Sequence, residues 1–141
     1  MKTQRFREYV AKNWWKQEGM GNEHTMIANN HLCMAVRTNH NVILRGQTGF
    51  DFEGNMHDLD DVVAQTKTAC ACLKQLIREA GGDPADICKI TLYFAERSFV
   101  KQAMPVVDEA FKDICPSKSM LITKLALPEV LMEIDADVVV E

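Results

Sequence analysis

The segment Met132-Glu133-Ile134-Asp135-Ala136-Asp137-Val138 alternates apolar and acidic residues without a break. In an extended chain successive side chains point to opposite faces, so the pattern describes a β-strand with one dry face and one acidic face. A helix would scatter the same acids around its circumference. A sheet built on such a strand takes helices on one side only, and its other side must meet water or a partner subunit.

A second pattern supplies the cover for the dry face. Leu59, Val62, Val63, Thr66, Ala69, Cys70, Leu73, Leu76, Ile77 and Ala80 recur at helical spacing. They predict a long helix with Asp58 as its cap and Gly81-Gly82 as its stop. Upstream, residues 31–37 and 41–47 read as two strands around Thr38-Asn39-His40, where asparagine tolerates the left-handed backbone of a hairpin. After the Asp83-Pro84 turn, residues 87–95 are rich in branched and aromatic side chains and read as a third strand. Residues 98–114 return to helical spacing through Ala103, Val107, Ala110, Phe111 and Ile114. Pro105 removes a backbone donor there, so the regular helix is expected to begin near Met104. Cys115-Pro116 introduces a strand carrying Lys118, and Leu127-Pro128 marks the corner into the final strand. The order β-β-α-β-α-β-β predicts an α+β fold: a two-layer sandwich with both helices on one face of a mixed sheet.

The chain of 141 residues suits one core. Residues 26–141 are expected to form a single domain behind an N-terminal arm of residues 1–25. In the arm Phe6, Tyr9, Val10 and Trp14 have the spacing of a short amphipathic helix that Gly19 and Gly21 would end. A net charge of −4 and the lack of a basic, aromatic-studded patch disfavour nucleic acid as a ligand. No apolar run is long enough to cross a bilayer and no secretory leader is evident, so a cytoplasmic protein without membrane partners is expected.

The five cysteines, Cys33, Cys70, Cys72, Cys88 and Cys115, sit in apolar periodic segments. They read as small buried hydrophobes in a reducing compartment. His24, His31, His40 and His57 are at no ligand spacing, and neither metal nor cofactor is expected. A phosphate-binding glycine loop and a serine nucleophile elbow are both missing from the sequence.

Three features coincide in the remaining chemistry: Gly46-Gln47 ending the second strand, the cation Lys118 opening the fourth and Glu133 in the fifth. With Leu44-Arg45-Gly46-Gln47, Gln65-Thr66, Ala80-Gly81-Gly82, Pro116-Ser117-Lys118-Ser119, Leu127-Pro128 and Glu133-Ile134-Asp135 in this order, residues 30–140 resemble the reactive intermediate deaminase (Rid) family, also called YjgF-like or endoribonuclease L-PSP. The resemblance implies a chorismate-mutase-like subunit, a homotrimer with ligand clefts between subunits, and hydrolysis of reactive enamines or imines to ammonia and a keto acid. Under it, Lys118 stands where the family carries an arginine that pairs with the substrate carboxylate. Gly46 and Glu133 would help to place substrate and water, with Lys118 and Glu133 as the catalytic pair.

Arginine is a planar, bidentate fork, whereas lysine is a point charge on a flexible stem, so the exchange argues against standard 2-imino acid deaminase activity. Met120 replaces a family cysteine and Leu32 falls near a family tyrosine, which makes the cleft less polar. Arg45, beside Gly46, is a candidate for the missing guanidinium. The expected ligand is a small metabolite bearing a carboxylate. The competing readings are a non-catalytic trimer that binds a small molecule or a protein, and, third, a ribonuclease.

Overall fold

The structure, a computed structural model, describes residues 2–11 and 30–141. Trp14, Gly19, Gly21 and His24 lie outside the described residues. The main sheet has six strands in the order β1-β4-β5-β8-β6-β7. These are β1 (Thr3–Phe6), β4 (Ala35–Thr38), β5 (Asn41–Leu44), β6 (Ile87–Phe94), β7 (Ser117–Ile122) and β8 (Met132–Val139). Only β6 and β7 run parallel; every other neighbouring pair is antiparallel. Two three-residue strands, β2 (Tyr9–Ala11) and β3 (Asn30–Leu32), form a separate ladder with Tyr9 opposite Leu32. Helices α1 (Val62–Glu79) and α2 (Arg97–Ala110) pack on one face of the main sheet.

The alternation in β8 resolves as expected. Met132, Ile134, Ala136 and Val138 are buried beneath the helices, and Glu133, Asp135 and Asp137 face the other way. The core joins them to Ile90, Leu92 and Phe94 of β6, Leu73, Leu76 and Ile77 of α1, and Ala103 and Val107 of α2. On the uncovered face Ile43 is 58% exposed and Val139 49% exposed.

Four local expectations are corrected. Helix α1 begins three residues later than its apolar stripe suggested: its cap is Asp61, whose carboxylate accepts from the Ala64 amide at 3.0 Å. Asp60 has φ of 61°, a left-handed backbone that a helix cannot contain, so Leu59 lies outside and is 62% exposed. Helix α2 runs straight through Pro105. The ring sits on the solvent side, where the Lys101 carbonyl that loses its donor can take water.

The described part of the arm is extended, not helical. Arg7 adopts φ of 52° between β1 and β2; its guanidinium grips Glu79 with two bonds of 2.7 and 2.8 Å and lies 3.8 Å over the Phe52 ring. Apolar residues three and four apart over so few positions fit a kinked strand pair as well as a helix. Finally, Cys70 and Cys72 are buried but Cys88 and Cys115 are exposed, because these two lie at the β6 bulge and in a turn.

The helix stop follows its sequence. Gly81 has φ of 82°, its amide reaches the Arg78 carbonyl at 3.0 Å and that of Gly82 reaches Ile77 at 2.9 Å, the paired closure that glycine permits. Arg37 then donates to the Ala80 carbonyl at 2.9 Å, placing a cation at the negative end of the helix.

Candidate functional site

Glu133 stands on the uncovered face, paired across the sheet with Tyr93. Its carboxylate presses against Gly46, where an added Cβ would collide with Oε1. The contact arises because β8 continues past β5 into the segment after Leu44. There Gln47 and Ile134 exchange two backbone hydrogen bonds of 2.8 Å. Buried Gln47 also donates from Nε2 to the Arg45 carbonyl at 2.7 Å, so the turn carrying Gly46 is fixed from both sides. The sequence marks Gly46-Gln47 as a place of close approach. It gives no sign that the glutamine is the clamp.

Among the described residues no hydrogen bond or ion pair engages the Glu133 carboxylate. Burial raises its pKa above the ordinary carboxylate range, the charge of Asp135 adds to the rise, and Arg45 draws it back. Asp135 is raised chiefly by burial as well. A half-buried carboxylate with free lone pairs and a raised pKa is suited to hold a proton or order a water.

These shifts carry a sign. An acid whose folded-state pKa is raised destabilises the fold once ionised, from the ordinary carboxylate value of about 4 upward. Removing the charge with Glu133→Gln is therefore expected to make the folded chain more stable than wild type at pH 7. That advantage shrinks as the pH falls through Glu133's folded pKa and vanishes below about 4. Urea unfolding at a series of pH values measures it; a constant difference would contradict the assignment.

Lys118 does not join this cluster within one chain. In the parallel β6–β7 register it pairs with Ile90, and Met120 pairs with Leu92, so both project on the helix side of the sheet while Glu133 projects from the other. Nζ lies 3.1 Å from Asp108 of α2, in a pair whose side chains are 31% and 62% exposed. Such a pair contributes little, so Lys118→Ala is expected to shift unfolding stability by less than about 1 kcal/mol. A larger loss in thermal or urea unfolding would show a structural role.

The arm brings in a residue the sequence did not single out for the site. The Arg45 guanidinium carbon lies 5.4 Å from the centre of the Tyr9 ring, and Arg45 also touches Met34 Sδ at 3.7 Å. Tyr9 in turn sits opposite Leu32. The structure thus unites Gly46, Arg45 and Glu133, places Leu32 one ladder step away beside Tyr9, and leaves Lys118 and Met120 at the sheet edge.

Two histidines and a buried cysteine lie away from this cluster with surroundings of their own. His40 Nδ1 lies 2.9 Å from the Val140 carbonyl and His57 Nε2 lies 2.7 Å from Asp51. Burial pushes the Cys70 thiol up to about 12, which keeps it protonated and unreactive. No group of three or more potential metal ligands occurs among the described residues. Nor is any described helix long and apolar enough to cross a membrane.

A mixed sheet covered on one face by two helices defines an α+β class that known proteins share. The sequence profile of the family described as Endoribonuclease L-PSP matches residues 23–140. The chain belongs to that family, the YjgF/Rid group.

A Mycobacterium tuberculosis member of the YjgF/YER057c/UK114 family superimposes with a TM-score of 0.67 at 28% identity, covering 94% of this chain and 99% of its own. A Yersinia pestis protein of the conserved Rid family, itself of unknown function, gives a TM-score of 0.65 at 26% identity over 77% of this chain and 86% of its own. Yeast Mmf1 shares the fold, with a TM-score of 0.70 at 18% identity over 78% and 87% of the two chains. No curated protein matches the sequence.

Proposed function

We propose that this chain is a divergent Rid protein that hydrolyses a small enamine, imine or related C–N bonded metabolite bearing a carboxylate. The observation that carries the reading is the Glu133 carboxylate, half-buried, raised in pKa and packed on Gly46 with no hydrogen bond to the described residues. In the reaction Glu133 takes a proton from water as the oxygen adds to the C=N carbon. It passes that proton to nitrogen to give a carbinolamine, then takes the carbinolamine's hydroxyl proton and delivers it to nitrogen as the C–N bond breaks, giving a carbonyl and ammonia.

The cation Lys118 and the acid Glu133 cannot meet within one sheet because they project from opposite faces. They meet if the uncovered face of one copy packs against the β7 edge of the next. That edge carries exposed Met120, Leu121 and Ile122, and the uncovered face carries exposed Ile43 and Val139. Apolar surface at both places supports a homotrimer with composite clefts. Sedimentation equilibrium at three times the subunit mass is the expected result; a monomer would remove Lys118 from the site.

The experiment for activity is ammonia release from a panel of freshly generated enamines and imines. Turnover above buffer that disappears in Glu133→Gln is expected, and no turnover across the panel would overturn the hydrolase reading. The Lys118–Asp108 pair favours a second reading, a trimer that binds a small carboxylate without turning it over, since an engaged lysine is less available to substrate. Ligand-induced thermal stabilisation with no product would select that reading. Ribonuclease action, the activity in the family's description, is disfavoured by the net charge of −4 and by a sequence without a basic, aromatic-studded patch.

A further inference from the structure

We infer that Tyr9 of the N-terminal arm, with Arg45, forms the anchor for the carboxylate of the ligand that reaches Glu133; this rests on the reading of the Gly46–Glu133 site given above. The starting observation is an anomaly. The Tyr9 hydroxyl is removed from solvent and has no hydrogen-bond partner among the described residues, whereas buried polar atoms in folded proteins are nearly always paired. A phenol held for packing alone would be better as a phenylalanine, because the bare hydroxyl carries a desolvation cost without return.

Its surroundings say what would satisfy it. The Arg45 guanidinium lies 5.4 Å from the Tyr9 ring centre, and the same arginine is near enough to Glu133 to draw its pKa down. An aromatic ring with a donor hydroxyl and a planar cation therefore lie together, the cation next in sequence to Gly46, which packs on a carboxylate with no hydrogen bond among the described residues. A small anion accepts from both: guanidinium offers two parallel N–H groups to a carboxylate, and a phenol adds a third donor. Lys118 cannot take this part within the subunit, being on the other side of the sheet and paired with Asp108.

Placement on the arm makes the anchor conditional. Among the described residues the ladder that holds Tyr9 pairs Tyr9–Leu32, Val10–His31 and Ala11–Asn30, and it is not part of the main sheet. Short two-stranded ribbons are marginal by themselves. A ligand bridging Tyr9 and Arg45 adds charge-assisted bonds between arm and domain, so binding and arm docking reinforce each other.

The test compares wild type with Tyr9→Phe in two measurements that a packing role and a binding role move differently. Thermal unfolding without ligand should leave Tyr9→Phe as stable as wild type or more so, since the substitution removes only the orphan hydroxyl. Calorimetric titration with pyruvate should show affinity weakened about tenfold or more in Tyr9→Phe, the loss of a hydrogen bond to a charged group. Pyruvamide, which lacks the charge, should bind both proteins poorly. Equal pyruvate affinity in the two proteins overturns the anchor, as does loss of stability in ligand-free Tyr9→Phe.

Ammonia release separates this outcome from failure of the hydrolase reading. Turnover that is lost in Glu133→Gln but unchanged in Tyr9→Phe overturns the anchor and leaves the reaction standing. Pyruvate binding that needs Tyr9, with no turnover of any substrate, upholds the anchor and overturns hydrolysis.

Discussion

Glu133→Gln is expected to lower turnover of an imine or enamine by about a hundredfold or more, the usual worth of a positioned general base. Glutamine keeps the length and the planar end of the side chain, so the pocket beside Gly46 stays filled. What it loses is the ability to take a proton from water. Because Glu133 is raised in pKa by burial and by Asp135, the rate should fall on the acid side as the carboxyl becomes protonated, and this limb should be absent from Glu133→Gln. Gly46→Ala provides the geometric counterpart. An added Cβ would collide with Glu133 Oε1, so the carboxylate must swing away while its chemistry is unchanged. Turnover should fall to a similar depth in Gly46→Ala with the acid limb retained. A Gly46→Ala protein with full activity would show that the contact with Gly46 does not position the base.

The alternation of Met132 to Val138 was sufficient to place Glu133 on the uncovered face, because side-chain direction in a strand is a matter of parity. The same rule applied to Lys118 needed information the sequence does not hold. Its parity is set by the register of β7 against β6, where Lys118 pairs with Ile90, and nothing local to Ser117-Lys118-Ser119 fixes a register between strands separated by a helix. Gly46 was recognisable as a point of close approach, since a glycine at a strand end often marks one. Its partner was known only through the family resemblance.

The arm departs from helical structure for a different reason. Phe6, Tyr9 and Val10 satisfy helical spacing, yet a single left-handed residue, Arg7, turns the run into two strands, and its two bonds to Glu79 are contacts 72 residues away. Asp58, Asp60 and Asp61 are chemically alike, and only backbone geometry selects Asp61 as the cap of α1. Tyr9 therefore entered the site through tertiary pairing alone.

The largest effect on stability is expected at Gln65, a side chain fully buried within α1. Its Nε2 donates to the carbonyls of Asp58 and Glu129, both at 3.0 Å, and its Oε1 accepts from the Leu131 amide at 3.0 Å. One side chain thus ties the entry to α1 to the segment that leads into β8. Gln65→Leu has nearly the same volume but takes the Glu129 carbonyl and the Leu131 amide from their partner and leaves the Asp58 carbonyl only a long 3.4 Å bond from the Asp61 amide.

Each unsatisfied buried group costs about 1–3 kcal/mol, and some water can enter at the segment ends, so a loss of about 3–5 kcal/mol is expected. That is a large share of an ordinary domain's stability, roughly 5–15 kcal/mol. The urea midpoint should drop with little change in slope, since the area exposed on unfolding is the same. Thr66→Val, which removes a single bond to the Val62 carbonyl within the helix, should cost only about 1 kcal/mol. If the two variants were equally mild, the three bonds of Gln65 would not be holding the segment. Because Leu131 lies two residues before Glu133, releasing it also frees the start of the strand that aims the carboxylate. Gln65→Leu should accordingly lose activity even at a temperature where it remains folded, which ties the buried amide in the helix layer to the site on the opposite face of the sheet.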